Sequence, residues 1–509
     1  MEYNLTNGVW ELTMACNMRC KHCGSSCDED RQEGELTTEE ALALCDELKE
    51  LGMKVITLSG GEPTLRSDLS TIINRLVNNG IMVNIITNGW FIDEKLAQQL
   101  KLAGVTGVAV SIDGLKSTHD QIRLDGSFEK ATTALKLIKD HDILPAVITT
   151  VNSVNIDELE GLHSIFSDIG IDSWQLQLAL PMGNFKHNTE FFLKPHHVNQ
   201  LIDFAHSKMS EDMGIFLADN VGYYNSKILE LHQKSIPDIG QWGGCGAGKS
   251  IIGILNNGDI TGCTSIRDRQ FIAGNIRERS LKDIWYSEES FAWNRKMKKS
   301  QLKGLCAKCQ FSDCLGGCID SRLCMNGDIH SHNEYCSYYI EMKRIEDKVA
   351  LINDPAKLLN NAYSLANKKQ FQSAEIVLSK LVSITPDSIK PKEILGYVHY
   401  ELGNYELCEE TNRQILISDP ENAYASKGLG LALIKQGQIE DGLGHMHRAK
   451  NMKNANAEIF YDLYVTHLLL QQNSEAMKIK EDARKCSDYS DWEEQFNTAM
   501  SNEVVDIAQ

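Results

Sequence analysis

The chain has 509 residues, which is too long for one ordinary domain and long enough for two or three. Its content of 42% hydrophobic and 24% charged residues is typical of a folded globular protein and excludes a disordered one. Lysine and arginine number 51 against 70 acidic residues, and the net charge of −19 argues against a general nucleic-acid binder, which would carry a basic face.

The N-terminal residues lack the basic start, apolar run and small-residue cleavage site of a secretory signal. No stretch reaches the roughly 18 apolar residues that a membrane span requires. We therefore expect a cytoplasmic protein with no membrane contact. That compartment disfavours disulfides, so the regular spacings among many of the 15 cysteines indicate metal or iron–sulfur ligation.

The first predicted domain, residues 1–235, alternates β-rich runs with amphipathic stretches. The predicted strands are Val9–Met14, Lys54–Leu58, Met82–Thr87, Gly107–Ile112, Pro145–Val151 and Trp174–Leu178. The predicted helices are Thr38–Leu51, Leu69–Asn79, Glu94–Ala103, Phe128–Asp140 and Ile156–Ile169. This alternation predicts an α/β fold with a parallel sheet, in the form of a partial (β/α)6 TIM-like barrel. Reactive groups of such folds gather at the carboxyl ends of the strands.

The loop after the first predicted strand contains Cys16, Cys20 and Cys23 in the spacing CxxxCxxC. Three thiolates in one loop can hold three irons of a [4Fe–4S] cubane and leave the fourth iron open to a chelating ligand. Zinc is the alternative, but a structural zinc site needs four ligands, and His22 directly precedes Cys23, so ligation by both is awkward. We expect His22 to support the site from outside the ligand set, and Cys27 not to be a ligand.

This loop resembles the cluster motif of the radical S-adenosylmethionine (SAM) superfamily, and further motifs of that family follow in order. Gly60-Gly61-Glu62 ends the second predicted strand and resembles the motif that binds the amino group of the methionine moiety. The glycines would let the backbone approach the ligand closely, and Glu62 would pair with an ammonium group. The resemblance implies that the ribose and carboxylate side of the cofactor is lined by Thr87, Asn88, Ser111 and Asp113, with Arg123 on the methionine carboxylate.

The second predicted domain, residues 236–345, is rich in cysteine and short of long apolar runs, so metal ligation would supply folding energy. It resembles the SPASM domain, which carries two auxiliary [4Fe–4S] clusters in radical enzymes that modify peptides. The resemblance assigns the first auxiliary cluster to Cys245, Cys263 and Cys318. It assigns the second to Cys306, Cys309, Cys314 and Cys336. The fourth ligand of the first cluster and the role of Cys324 stay open, and a pair of zinc-ribbon-like sites is the alternative.

The third predicted domain, residues 354–509, is helical and has a period of 34 residues. Gly396 and Gly430 are one period apart, as are Pro386 and Pro420. This period resembles that of tetratricopeptide (TPR) repeats, and roughly three to four units predict a TPR-like stack. Such a stack offers a groove for a peptide or protein, whereas self-association or capping of the catalytic domain is the alternative.

The resemblance implies a radical enzyme. A reduced cluster, supplied by a low-potential donor such as flavodoxin or ferredoxin, would pass an electron to SAM. The resulting 5′-deoxyadenosyl radical would abstract hydrogen from a ribosomally synthesised precursor peptide, which would gain a crosslink or thioether or lose a carboxyl group. The auxiliary clusters would take up the remaining electron. The implied cofactors are the SAM-binding [4Fe–4S] cluster, two auxiliary [4Fe–4S] clusters and SAM itself.

Three other readings stay open. Formylglycine-generating sulfatase maturases have an aspartate where this chain has Thr264, directly after Cys263. A haem-pathway or other small-molecule radical enzyme is the second alternative, and a non-enzymatic iron–sulfur scaffold with a repeat docking arm is the third. No single side chain stands out as a general acid or base, and Asp113 and Asp268 would be guesses.

Overall fold

The computed structural model describes residues 3–27, 33–218, 220–235, 243–311 and 313–499. The chain forms two compact units, Met1–Ala307 with Phe311–Ile340, and Lys308–Gln310 with Glu341–Gln509. Among the helices within these described ranges, none has the length and apolarity that crossing a bilayer requires.

The first unit is built on one sheet. Its strands are β1 (Asn7–Glu11), β2 (Val55–Ser59), β3 (Met82–Thr87), β4 (Gly107–Ser111), β5 (Leu144–Val151), β6 (Ser173–Leu178), β7 (Gly214–Leu217), β8 (Ile251–Ile254), β9 (Asp259–Thr261) and β10 (Gly274–Asn275). Strands β1 to β7 lie side by side in chain order and are parallel. Strand β8 pairs with the other side of β1, also in parallel, and β9 and β10 extend that edge in antiparallel fashion.

Helices follow most of the strands. They are α1 (Thr38–Glu50), α2 (Leu69–Asn78), α3 (Glu94–Ala103), α4 (Lys116–Ile122), α5 (Ser127–Asp140), α6 (Leu159–Ile169), α7 (His197–Ser207), α8 (Ser226–Ser235), α9 (Leu281–Tyr286), α10 (Ala292–Arg295), α11 (Gly304–Lys308) and α12 (Ile319–Asn326). Helix α1 begins with a capping box between Thr37 and Glu40, which satisfies backbone N–H groups of its first turn. Helix α3 ends at Gly104 in the left-handed conformation that favours glycine.

The two faces of the sheet differ. Along β5 and β6 the residues alternate between buried and half-buried, so one face packs into the core and the other is partly open. The buried face includes Val147 and Trp174, which share one apolar core with helix residues such as Leu44 and Leu135. The open face therefore presents its half-buried side chains, together with the carboxyl ends of the strands, to a ligand.

The α/β class and the parallel sheet are confirmed, and each predicted strand and helix of the first domain corresponds to an observed one. The expected six-strand barrel is too small, because β7 and β8 add two further parallel strands. Each of these strands has only 4 residues, too few for an alternating pattern to mark them in the sequence.

The second unit is helical. Its helices are α13 (Ser337–Ala350, which begins in the first unit), α14 (Pro355–Asn367), α15 (Phe371–Ile384), α16 (Ile389–Glu401), α17 (Tyr405–Ser418), α18 (Ala423–Lys435), α19 (Ile439–Lys450), α20 (Ala457–Leu469), α21 (Asn473–Ala483) and α22 (Glu493–Thr498). From α14 to α21 both the first and the second helix of each pair begin 34 residues after their counterparts in the preceding pair.

The turn inside each helix pair repeats with the same period. A residue of positive φ stands at each of these turns: Lys369, Gly403, Gly437 and Gln471. The following backbone N–H donates to the carbonyl five residues earlier at 2.8–2.9 Å in all four turns. These bonds close the first helix of each pair in the manner of a Schellman motif. A C-terminal helical region with a 34-residue structural period is therefore present.

Candidate active site

The cysteine loop follows β1 and is packed among apolar side chains. Cys16 and Cys20 are buried with Met14 and Met18. Burial raises the pKa of Cys16, and it raises the pKa of Cys20 to about 12. Thiols that burial keeps protonated become thiolates when a metal centre replaces the proton. The loop thus has the chemistry of a cluster ligand set.

Cys23 differs from the two other cysteines of the loop. A hydrogen bond from the Cys27 thiol lowers the pKa of Cys23 to about 5, and the same contact and burial raise the pKa of Cys27. Cys27, which we expect not to be a ligand, is thus buried in the apolar cluster of the loop itself. Its hydrogen-bond partner is Cys23, so Cys27 contacts one of the predicted ligands.

A short helical segment after β6 holds the loop from outside. The backbone N–H of Asn184 donates to the Cys23 carbonyl at 2.9 Å, and the Asn188 side-chain amide donates to the Lys21 carbonyl at 2.9 Å. A Cβ at Gly183 would lie 2.3 Å from the Cys23 carbonyl oxygen, so only glycine allows this approach. The loop is therefore held by hydrogen bonds to its backbone carbonyls.

Gly60 and Gly61 place the end of β2 against the chain that leads to Cys16. The Gly61 N–H donates to the Thr13 carbonyl at 2.7 Å, and the Glu62 N–H donates to the Ala15 carbonyl at 2.8 Å. A Cβ at Gly60 or Gly61 would lie 2.3 or 2.2 Å from these same carbonyl oxygens. The glycines thus permit a close approach between two protein backbones, whereas the sequence suggested an approach to the ligand.

Glu62 is fully buried with neutral hydrogen-bond donors around it. Its carboxylate accepts the Thr64 hydroxyl at 2.6 Å, the Thr87 hydroxyl at 2.7 Å and the Asn88 N–H at 2.7 Å. Burial raises the pKa of Glu62 above its ordinary value, and these hydrogen bonds offset that effect only in part. None of its partners in the described part of the chain is a cation, so an ammonium group of a ligand would complete the site.

Asn88 connects this carboxylate to the cysteine loop. Its amide donates to the Asn17 side chain at 2.8 Å and lies 4.0 Å from the Cys16 sulfur, while its backbone N–H donates to Glu62. Ser111 is buried at the end of β4. The structure therefore brings the motif residues of β2 and β3 to the first cysteine, as the order of the strands predicts.

Asp113 is fully buried and binds two basic side chains. Its carboxylate forms an ion pair with Arg123 and lies 2.6 Å from Nε2 of His22. Burial alone would raise the pKa of Asp113, but the charges of Arg123 and His22 outweigh it and hold that pKa below its ordinary value. Arg123 also approaches the Cys20 sulfur at 3.9 Å. Asp113 thus orients Arg123 at the cysteine loop, and His22 supports the site through Asp113.

His119 lies behind Asp113. Its Nδ1 accepts the backbone N–H of Asp113 at 3.0 Å, and the side chain is completely buried. Burial lowers the pKa of His119 to about 4, so the ring is neutral near pH 7. Nδ1 of a neutral ring can accept this N–H. The main charges that lower the pKa of Asp113 are those of Arg123 and His22.

Glu11 and Arg267 form a further charged group that sequence reasoning missed. Glu11 is buried on β1 and forms an ion pair with Arg267, which also donates to Ser25 at 2.5 Å. The charges of Glu11, Cys27 and Cys23 raise the pKa of Arg267 against the effect of burial. An acidic residue inside the apolar run VWELTM was the one available signal of a charged group facing the interior of the sheet.

The cysteines assigned to the first auxiliary cluster lie together. Cys245 and Cys263 pack against one apolar cluster, and the charges of Cys263 and Cys318 affect one another. Burial raises the pKa of both Cys263 and Cys318 to about 12, and the nearby Asp320 carboxylate adds to this effect. The unassigned Cys324 donates its thiol to Asp320 at 3.2 Å.

Three of the cysteines assigned to the second auxiliary cluster, Cys306, Cys314 and Cys336, influence Tyr223 or Arg322. Burial raises the pKa of Tyr223, and the charges of Cys318, Cys336 and Cys314 add to this effect. Burial also raises the pKa of Cys306, and Arg322 lowers it in part. The cluster assignments of all these cysteines, including Cys309, stay predictions. Within the described ranges, no three His, Cys, Asp or Glu side chains are arranged so as to hold a single metal ion.

Two family models match the chain. Residues 10–164 match the Radical SAM superfamily, and residues 245–310 match SPASM, an iron–sulfur cluster-binding domain. The chain therefore contains a radical SAM domain and a SPASM domain, and these domains support a radical SAM enzyme. These domains bring [4Fe–4S] clusters and SAM as cofactors, and the buried thiols and the uncompensated Glu62 carboxylate fit those groups.

The chain is similar to curated relatives that include a heme synthase and a mycofactocin maturase. An AdoMet-dependent heme synthase of Methanosarcina barkeri is 28% identical over 341 residues, which are 65% of this chain and 95% of the relative. A mycofactocin maturase, MftC, of Mycolicibacterium smegmatis is 28% identical over 322 residues, which are 62% of this chain and 78% of the relative.

Solved structures share the fold. Streptococcus suis SuiB bound to its precursor peptide SuiA superposes with a TM-score of 0.54 and 15% identity, over 65% of this chain and 75% of SuiB. The protein anSMEcpe with bound AdoMet gives a TM-score of 0.53 and 20% identity, over 66% of this chain and 95% of anSMEcpe.

Proposed function

We propose that this radical SAM enzyme oxidatively modifies a ribosomally synthesised precursor peptide by crosslinking, thioether formation or decarboxylation. The observation that carries the peptide assignment is a row of uncharged polar side chains on the open face of the sheet beside Asp113. The cysteines of the SPASM region would hold auxiliary clusters able to accept the substrate's electron, and Cys16, Cys20 and Cys23 would hold a cluster that a low-potential donor such as flavodoxin or ferredoxin could reduce.

The row consists of Thr150, Gln177 and Gln175. Gln177 donates to the Thr150 hydroxyl at 3.0 Å, and Gln175 lies 3.4 Å from the Gln177 carbonyl oxygen. The Thr150 N–H donates to Asp113 at 2.8 Å, so the row begins at the cofactor site. Amide and hydroxyl groups both donate and accept hydrogen bonds, which suits the alternating N–H and C=O groups of a peptide. The carboxylates of a tetrapyrrole would bind better to arginine or lysine side chains.

The chain's own residues position the cofactor. When bound, the reduced cluster and SAM together supply a 5′-deoxyadenosyl radical that abstracts hydrogen from the substrate. Glu62 would hold the methionine ammonium, because it is a buried carboxylate surrounded by neutral donors. Asp113 would hold the Arg123 guanidinium towards the methionine carboxylate and the cysteine loop. The ligand assignments are those given by the sequence: Cys16, Cys20 and Cys23 for the SAM-binding cluster.

The helical unit gives a second reason to propose a peptide substrate. The match to the heme synthase covers 65% of this chain, and both family matches end before residue 311. The four helix pairs of 34-residue period therefore lie beyond the matched domains. A stack of this period is typical of TPR repeats, which bind peptides along their concave side. We assign to it the docking of the precursor peptide or of a partner protein.

A tetrapyrrole substrate is the second candidate. It is favoured by the heme synthases and the Fe-coproporphyrin III synthase among the relatives, the latter being 29% identical over 331 residues. Both candidates require the same cleavage of SAM, so the substrate has to be tested separately from the radical chemistry.

The experiment uses anaerobically reconstituted full-length protein reduced with dithionite. We expect 5′-deoxyadenosine when the protein receives SAM and the peptide encoded by a short open reading frame beside its gene, with a mass change in that peptide. Release of no 5′-deoxyadenosine under any condition would contradict the enzyme assignment. Conversion of Fe-coproporphyrin III, with the peptide unchanged, would overturn the peptide assignment. Replacing Cys16, Cys20 and Cys23 by Ala should abolish cleavage and leave the auxiliary iron bound.

A further inference from the structure

Arg322 is a charged side chain in an environment where a charge is costly. It lies on α12 and is completely buried. Its Nε and one terminal nitrogen have no hydrogen-bond partner, and the other terminal nitrogen is 3.8 Å from the Met297 sulfur. A buried guanidinium with unpaired donors is strongly destabilising unless an anion is present. The described protein atoms supply no such anion as a hydrogen-bond partner.

The surroundings of Arg322 show where that anion would be. The charges of Cys306, Cys318 and Cys314, together with Tyr223, raise the pKa of Arg322 against the larger opposing effect of burial. These three cysteines are divided between the two predicted auxiliary ligand sets. Cys318 is assigned to the first cluster, and Cys306 and Cys314 are assigned to the second. The geometry agrees, because Arg322 lies in the first turns of the helix that Cys318 caps, and Gly316, between Cys314 and Cys318, lies directly against its guanidinium.

The backbone leaves room for Arg322 at this place. Gly316 has a φ of 84°, and a Cβ there would lie 2.7 Å from a terminal nitrogen of Arg322. Gly317 has a φ of 75°, and a Cβ there would lie 2.5 Å from the Tyr223 ring. The Tyr223 hydroxyl in turn accepts the Cys318 N–H at 2.8 Å. The two glycines between Cys314 and Cys318 thus let the ligand loop wrap closely around these two side chains.

We propose that Arg322 donates hydrogen bonds to sulfurs of the auxiliary clusters and holds their reduction potentials at higher values. A [4Fe–4S] cluster with four thiolates carries net negative charge, and its sulfurs accept hydrogen bonds. A fixed positive charge and donors beside it stabilise the reduced form, which is more negative by one electron. Arg322 is a positioning and tuning residue, because it acts on the substrate only through the clusters. This role rests on the proposed function, in which these clusters accept the substrate's electron.

The test measures potentials directly. In full-length protein with Cys16, Cys20 and Cys23 replaced by Ala, the auxiliary clusters are titrated electrochemically and followed by electron paramagnetic resonance. We expect Arg322→Met to lower at least one auxiliary midpoint potential by 59 mV or more, which is a tenfold change for a one-electron couple. Arg322→Lys keeps the charge but has fewer donors, and we expect it to lower the potential by less.

Iron and sulfide content separates tuning from folding. A matched control is Arg295→Met, since Arg295 is a partly buried arginine that donates to the Gly248 and Trp285 carbonyls and stacks on aromatic rings. Full iron content with unchanged potentials in both Arg322 variants would overturn the proposal. If Arg322→Met loses iron, the test rests on Arg322→Lys. A lowered auxiliary-cluster potential in Arg322→Lys supports the proposal, and an unchanged potential overturns it. None of these readouts depends on SAM cleavage, so failure here is distinct from failure of the proposed function.

Discussion

The backbone N–H of Glu62 donates to the carbonyl of Ala15 at 2.8 Å, and Ala15 directly precedes Cys16. The carboxylate proposed to hold the cofactor's ammonium is therefore tied to the first cluster ligand through a single residue. This bond depends on Gly61, whose Cα approaches the same carbonyl too closely for a side chain. The distance between the two parts of the site is thus set by backbone contact.

Gly61→Ala should disrupt this contact. The added Cβ would lie 2.2 Å from the Ala15 carbonyl oxygen, and because both groups are backbone the chain itself has to move. We expect a loss of about 3 kcal/mol in the free energy of unfolding of the first unit, at the upper end of overpacking effects. We also expect weaker retention of the SAM-binding cluster. Urea unfolding and iron content measure these two effects.

The control is Gly243→Ala, where an added Cβ meets no atom within 4 Å. Its free energy of unfolding should change by less than about 0.5 kcal/mol. Equal stability of the two variants would show that the strands can separate at Gly61 without cost.

Glu62→Gln should weaken SAM binding more than it weakens folding. The amide keeps the size of the side chain but removes the charge that would pair with an ammonium group. A hydrogen bond to a charged group contributes about 1.5–3 kcal/mol, so the Kd for SAM should rise about 10- to 100-fold. Equilibrium binding of SAM to the reconstituted protein measures this.

Glu94→Gln is the matched control, because Glu94 is an exposed residue of the same domain with His141 as its partner. We expect its Kd for SAM to equal that of the unchanged protein. If Glu62→Gln also binds SAM with unchanged Kd, the ammonium lies elsewhere.

His119 should make the first unit sensitive to acid. Its pKa is lowered by burial from 6.5 to about 4, so between these values the unfolded chain binds a proton that the folded chain does not. Stability is therefore lost as the pH falls through 6.5 towards 4. From pH 7 to pH 5 the contribution of this fully buried ring is about 2 kcal/mol.

His119→Asn keeps an acceptor for the Asp113 N–H and removes the titration. The variant should lose less stability than the unchanged protein when urea unfolding is compared at pH 7 and pH 5. Parallel losses in the two proteins would mean that His119 is protonated in the folded state. The loss of unfolding free energy from pH 7 to pH 5 is compared between the two proteins, so acid effects on other groups cancel.

Lys427 should stabilise the helical unit. It is buried and lies 2.6 Å from Glu458 and 2.9 Å from Asp462, and its ammonium also approaches the Tyr424 ring at 4.4 Å. Burial opposes its charge, but Asp462, Tyr424 and Glu458 raise the pKa of Lys427 above its ordinary value. Lys427→Met leaves two carboxylates without their cation and should cost about 3 kcal/mol of unfolding free energy.

The measurement is loss of helical circular dichroism in urea, with iron content unchanged. Lys478→Met is the control, since the exposed Lys478 pairs with Glu475 on the surface of the same unit. Such a pair contributes about 0–1 kcal/mol. A Lys427 variant as stable as this control would contradict the assigned role.

Most of the fold could be predicted from the sequence, because the signals that mark its strands and helices are local. Strands such as Met82–Thr87 and helices such as Glu94–Ala103 have the predicted bounds, since their apolar patterns extend over several repeats. Strands β7 and β8 were missed because each has only 4 residues. The helical period of 34 was visible in glycine and proline spacing, although two of the four repeated turns have Lys369 and Gln471 at the positive-φ position.

The sequence by itself determined the cysteine spacing of the loop after β1 and the order of the predicted cofactor motifs. It could do so because parallel strands place their carboxyl ends at one edge, so order along the chain becomes proximity in space. Only the tertiary structure decided which charges meet. Arg267 and Glu11 are 256 residues apart, and Arg123 reaches Cys20 across 103 residues. No local pattern encodes such pairs, because burial and packing select them only after the chain has folded.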